Sequence, residues 1–128
     1  MIDSGYIKNI LLLLAEGHEE ENNLLKQIGL LTDAEYTYTG AGLFVGFACD
    51  EGIEAYRVMN SDDTILSGVL VESPELQLGA NAQLFFDKGI ILYLELFARD
   101  AEYPKKPLDR YELSQEWLPG GGRKIRFP

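Results

Sequence analysis

Residues 82–97 read Ala-Gln-Leu-Phe-Phe-Asp-Lys-Gly-Ile-Ile-Leu-Tyr-Leu-Glu-Leu-Phe. Two apolar, aromatic-rich runs flank Asp87-Lys88-Gly89, the pattern of a β-hairpin whose three-residue loop ends in glycine. The second run is apolar on both of its faces, so it is expected as a central strand covered on both sides. The neighbouring runs are joined by segments too short for parallel crossovers, so the sheet should be mostly antiparallel.

The same signal extends toward the N-terminus. Tyr36 and Tyr38 alternate with Thr37 and Thr39, and residues 43–48, 65–71 and 76–78 are short apolar runs, with a mixed segment at 53–59. Before residue 32 the period changes. Ile7, Ile10, Leu11 and Leu14 fall on one helical face, with Asp3 or Ser4 to cap its start and Gly17 to end it. Glu19, Glu20 and Glu21 suit the positive start of a second helix, which Leu24, Leu25 and Ile28 continue to Gly29. Two short helices, or one broken one, are expected over 5–29. Toward the C-terminus, Pro104 and Pro107 mark a loop, and 108–113 reads as a last strand or a helical turn. The expected fold is α+β: an N-terminal helical layer packed on a single, mostly antiparallel sheet of about five to seven strands. Residues 1–118 form one domain in this reading, and 119–128 a Gly-rich tether (Gly120–Gly122) with a basic C-terminal tail.

The chain has 128 residues, 46% of them hydrophobic, with seven Tyr, six Phe and one Trp. That suits one domain of the common size, roughly 100–150 residues, and excludes disorder. Cys49 is the single cysteine, so no disulfide is available within the chain. The net charge of −10 argues against a nucleic-acid or membrane-surface partner, both of which need clustered Lys and Arg. The charge is uneven: residues 1–98 hold a net −12, and 99–128 a net +2 that ends in Arg123-Lys124-Ile125-Arg126. Either the basic tail lies across the acidic body, or the acidic body faces a basic partner. The N-terminal apolar run 10–15 is too short and too closely followed by acids for a signal peptide, and no run reaches the ~18 apolar residues that span a bilayer. A cytoplasmic protein is expected.

Catalytic and cofactor motifs are absent from the sequence. Gly40, Gly42 and Gly46 precede a strand rather than a helix, so they suit a bend or close strand approach, not a phosphate loop. His18 and Cys49 have no metal-ligand spacing, and Asp50-Glu51 and Asp62-Asp63 do not form an EF-hand loop. His18 is expected at an exposed helix end. Cys49 is expected as a small buried residue, and its acidic neighbours disfavour a thiolate. Glu95 stands out because it interrupts an apolar strand, where a carboxylate is costly unless paired. It is expected either in a structural pair with Arg57 or Arg99, or near a sheet edge, or as a pocket carboxylate.

Tyr38-Thr39-Gly40-Ala41-Gly42-Leu43-Phe44, followed by Leu94-Glu95 and Tyr103-Pro104, resembles a group of small uncharacterised bacterial proteins over residues 36–104. The resemblance implies that Gly40, Gly42 and Glu95 belong to a shared fold pattern. In size and acidity the chain is also similar in type to toxin-immunity proteins. The expected role is a non-enzymatic protein-interaction module, immunity- or antitoxin-like, without cofactor or metal. Its acidic face would hold a basic protein partner through Glu19, Glu20, Glu21, Asp50, Glu51, Glu54, Asp62 and Asp63. The alternative is a small-ligand-binding protein or enzyme with a pocket on the sheet formed by Glu95, Tyr93, Arg99 and Trp117. A homodimer through edge strands is a third possibility.

Overall fold

A computed structural model describes residues 1–58, 65–100, 102–106, 108–115 and 124–127, the last four by their backbone. Helix α1 (Gly5–Ala15) starts where Ser4 Oγ accepts the Ile7 N–H at 3.2 Å, and it ends before Gly17, whose φ of 79° lets the chain turn away. Helix α2 (Glu21–Gly29) follows. The strands are β1 (Leu31–Tyr38), β2 (Gly42–Cys49), β3 (Ile65–Ser73), β4 (Leu76–Asp87), β5 (Ile90–Ala98), β6 (Tyr111–Gln115) and β7 (Lys124–Phe127), with a 3₁₀ turn at Ile53–Tyr56. They form one antiparallel sheet in the order β1-β2-β5-β4-β3-β6-β7. The fold is therefore α+β, with two N-terminal helices on one antiparallel sheet.

The hairpin that decides the fold is tighter than expected. Asp87 pairs with Ile90, leaving only Lys88 and Gly89 in the turn, both at positive φ (50° and 84°). Two positive φ values in a two-residue loop are the primed-turn geometry, whose twist matches the strands it joins. Leu92 drops out of register between Ile91 and Tyr93, so β5 carries a bulge directly after the turn.

The core lies between the helices and one face of the sheet. Ile7, Ile10, Leu11, Leu13 and Leu14 are fully buried against Val71, Leu84, Leu94, Leu96 and Leu113. Leu13 lies off the predicted stripe; α1 is enclosed more widely than one face, since both α2 and the sheet pack on it. Strand β5 is interior, but it is not covered on both sides as expected. Leu94, Leu96 and Ala98 are buried, whereas Tyr93, Glu95 and Phe97 on the other face are half-buried, and Leu92 is exposed. Among the described residues, both helices lie on the same face, which leaves this second face without a helical cover.

Polar side chains tie the two layers together. Gln27 of α2 is fully buried; its Nε2 donates to Tyr56 O (2.8 Å) and Gly89 O (2.9 Å), and its Oε1 accepts the Ile91 N–H (2.8 Å). Gln115 of β6 donates to Leu13 O (2.8 Å) and Glu16 O (2.7 Å), closing the carbonyl end of α1. Its own Oε1 is buried without a partner among the described residues.

The glycine-rich segment between β1 and β2 is a close strand approach. A Cβ on Gly42 would lie 2.0 Å from Leu96 O, in the backbone of β5. The residues expected as a basic tail include β7, where Arg126 stands opposite Glu112, and Lys124 opposite Ser114.

Two substitutions test these junctions. Gln27→Leu removes the side-chain partner of Tyr56 O and of the Ile91 N–H, while Gly89 O keeps the Val58 N–H (3.1 Å), and is expected to cost about 2 kcal/mol in urea-unfolding stability. Gly42→Ala must push β2 from β5 and is expected to cost about 2 kcal/mol in the same measurement.

Candidate functional site

The uncovered sheet face is built from cross-strand rows. Residues facing each other across neighbouring strands share a face, so the register lays out the surface. One row runs Thr37, Phe44, Glu95, Gln83, Ser67, and the next runs Glu35, Gly46, Tyr93, Phe85, Ile65. Phe85 and Tyr93 stack with ring centres 4.5 Å apart and an interplanar angle of 13°. Phe44 tilts against Tyr93 at 5.8 Å, beside the position where Gly46 carries no side chain.

Glu95 sits within this aromatic strip, half-buried, directly between Phe44 and Gln83. Neither expected structural pair forms. The Arg57 guanidinium donates to Lys88 O, and Arg99 Nε donates to Asn81 Oδ1 at 2.7 Å. Strand β5 lies between β2 and β4, so Glu95 is not at a sheet edge either. Tyr93, Glu95 and Arg99 share the face, but Arg99 follows the end of β5 and its guanidinium is turned to Asn81. Trp117 lies outside the described residues.

The predicted partner-contact acids fall into two groups. Glu19, Glu20 and Glu21 lie at the start of α2. Asp50, Glu51 and Glu54, all exposed, lie beyond its end, where the Asp50 N–H donates to Leu30 O. The groups are separated by the length of α2, about 14 Å. Glu21 Oε1 also accepts the Gly17 N–H (3.2 Å), and His18 Nδ1 accepts the Glu20 N–H (3.0 Å). Asp62 and Asp63 lie outside the described residues.

Cys49 is exposed, contrary to expectation. The pairing of β2 with β5 stops at Gly46, opposite Tyr93, where Leu92 bulges out of register, so the last residues of β2 run on without a partner on that side. There Cys49 lines an open cavity of about 270 Å³ with Glu54, Arg57 and Lys88.

A tyrosine cluster at the opposite end of the sheet is not among the sites expected from the sequence. Tyr6, Tyr36, Tyr38 and Tyr103 line a cavity of about 110 Å³ together with Leu43 and Lys106. Tyr6 and Tyr103 hydroxyls are 2.9 Å apart. The available signal was the Tyr36–Tyr38 spacing, which puts both rings on the helix-facing side of β1, opposite Val45 and Leu43.

Asp33 anchors this end. Its carboxylate accepts the backbone N–H groups of Asp3 (2.9 Å) and Ser4 (3.2 Å) and the Tyr36 hydroxyl (2.6 Å). Burial by itself would raise the Asp33 carboxyl, but the hydrogen bonds from Tyr36, Asp3 and Ser4 outweigh it and hold its pKa below the usual value. A lowered folded-state pKa contributes stability that is present above the unfolded value, about 3.9, and lost as pH falls through the lowered one. Asp33→Asn is therefore expected to lower stability at about pH 7 and to shrink the loss that sets in as pH falls below about 4, read as urea midpoints at a series of pH values.

Among the described residues, no helix is long and apolar enough to cross a membrane, and no three His, Cys, Asp or Glu side chains converge as a metal site. Comparison with protein-family models, with curated proteins and with solved structures finds no match to this chain, so its function must be argued from the surface just described.

Proposed function

We propose that this chain is a non-enzymatic protein-interaction module, cytoplasmic and immunity- or antitoxin-like in type, that holds a basic protein partner. The observation that carries this reading is Glu95: a half-buried carboxylate, set in a Phe44–Tyr93–Phe85 strip, that makes no hydrogen bond or ion pair with another described residue. A carboxylate flanked by aromatic rings suits a partner's Arg or Lys. The cation gains an ion pair and a ring face at once, the latter worth about 0.5–2 kcal/mol. Half-exposed aromatics on a sheet face are also the kind of surface that marks protein docking.

The acids around α2 have a different part in this reading. Glu19, Glu20, Glu21, Asp50, Glu51 and Glu54 belong to a chain of net charge −10 and steer a basic partner before contact. Their influence reaches about 8–10 Å at physiological salt, so it acts on the encounter rather than on the docked contact.

The two roles separate in a binding experiment with the partner captured from native lysate. Glu95→Gln should weaken the complex about tenfold, mainly through faster dissociation. Replacing Glu19, Glu20 and Glu21 together by Gln should slow association and flatten its salt dependence, with dissociation unchanged. Recovery of only acidic partners, or capture indifferent to Glu95→Gln, would overturn the proposal.

A further inference from the structure

The tyrosine-lined cavity holds more hydrogen-bond donors than its own acceptors can use. The hydroxyls of Tyr6 and Tyr103 share one hydrogen between them, whichever of the two donates, so the second phenolic hydrogen of the pair is left over. The Tyr38 hydroxyl has no partner among the described residues, and it faces the same cavity. Lys106 Nζ gives one of its three hydrogens to Glu75 at 2.7 Å. The nearby carboxylates are already engaged: Asp33 takes three donors, and Glu75 takes the lysine.

These donors persist at neutral pH. Burial, before any other cause, pushes the phenols of Tyr6, Tyr38 and Tyr103 up, the last to about 12, so each remains protonated. Of the remaining wall, Leu43 and the tyrosine rings are apolar, and Ser4 Oγ is already engaged, accepting the Ile7 N–H at 3.2 Å. A cavity with surplus donors, a lysine at its exposed rim and largely apolar walls is complementary to a group that only accepts hydrogen bonds and carries a short hydrocarbon portion.

We infer that this cavity binds a short-chain monocarboxylate, its carboxylate received by Tyr38, Lys106 and the free hydrogen of the Tyr6–Tyr103 pair. At about 110 Å³ it is smaller than the ~150 Å³ cavity that admits benzene, which limits the ligand to about two to four carbons. The site lies on the helix side of the sheet, so it is independent of the docking face proposed above.

The experiment is a titration of the whole chain with propionate, propionamide and propylammonium, followed by the tyrosine ring resonances. Propionate is expected to give saturable shifts at Tyr38 and Tyr103, and the amide and the amine none. Tyr38→Phe and Tyr103→Phe should each weaken propionate binding about tenfold, since each removes a charge-assisted hydrogen bond. Lys106→Gln, at an exposed position that does not endanger folding, should weaken it as well. Absence of saturable shifts with acetate, propionate and butyrate would overturn the inference. So would equal binding of propionamide, or unchanged affinity in both Phe variants and in Lys106→Gln.

Discussion

Gln27 satisfies three backbone groups from two different segments with one side chain. It sits on α2 and bonds both the 3₁₀ turn through Tyr56 and the β4–β5 hairpin through Gly89 and Ile91. Those groups lie where a helix, a turn and a hairpin converge, and only Gly89 O has a further backbone donor there among the described residues, the Val58 N–H at 3.1 Å. An unpaired buried backbone group costs about 1–3 kcal/mol, so the helical layer can close on the sheet only with a group of this shape in place. Gln115 does comparable work at the carbonyl end of α1, and Asp33 at its amide end. These three side chains make the helix–sheet interface specific, while the aliphatic core supplies its driving force.

Fastening both helices to one face determines what the other can do. Strand β5 has an apolar sequence on both sides, yet only its helix-facing residues are fully buried. The aromatics of the second face pack on one another, across strands, instead of under a second layer. Glu95 stands among them because it is only half-buried on that face, where water can hydrate a carboxylate that has no partner among the described residues. A single structural fact, both described helices on one side of the sheet, thus accounts for the aromatic strip and for an acid that is unpaired among the described residues.

Much of the architecture is legible in local pattern. The helical stripe of Ile7, Ile10, Leu11 and Leu14, the cap at Ser4, the break at Gly17 and the hairpin at Lys88-Gly89 all depend on neighbours within a few residues. The hairpin loop is one residue shorter than its sequence suggests, because Asp87 still pairs with Ile90. Cys49 is exposed because the ladder beside it is broken by the Leu92 bulge, which no local pattern announces. Gln27 looks in the sequence like any polar residue on an amphipathic helix. The tyrosine cavity joins Tyr6, Tyr36 and Tyr38 to Tyr103, and no local pattern reports a contact across 97 residues.

The sequence by itself determined the class of the fold: a short helical segment, whole or broken in two, then antiparallel strands, in an acidic chain with one dominant hairpin. Periodicity and turn chemistry are properties of adjacent residues, so they need no knowledge of the assembled molecule. The tertiary structure alone decided which face of β5 is covered, that Glu95 stays without a partner among the described residues, and that four tyrosines enclose one cavity. Those outcomes depend on strand order, in which β5 lies between β2 and β4 while α1 packs across β3, β4 and β6. Strand order is set by which distant surfaces bury one another best.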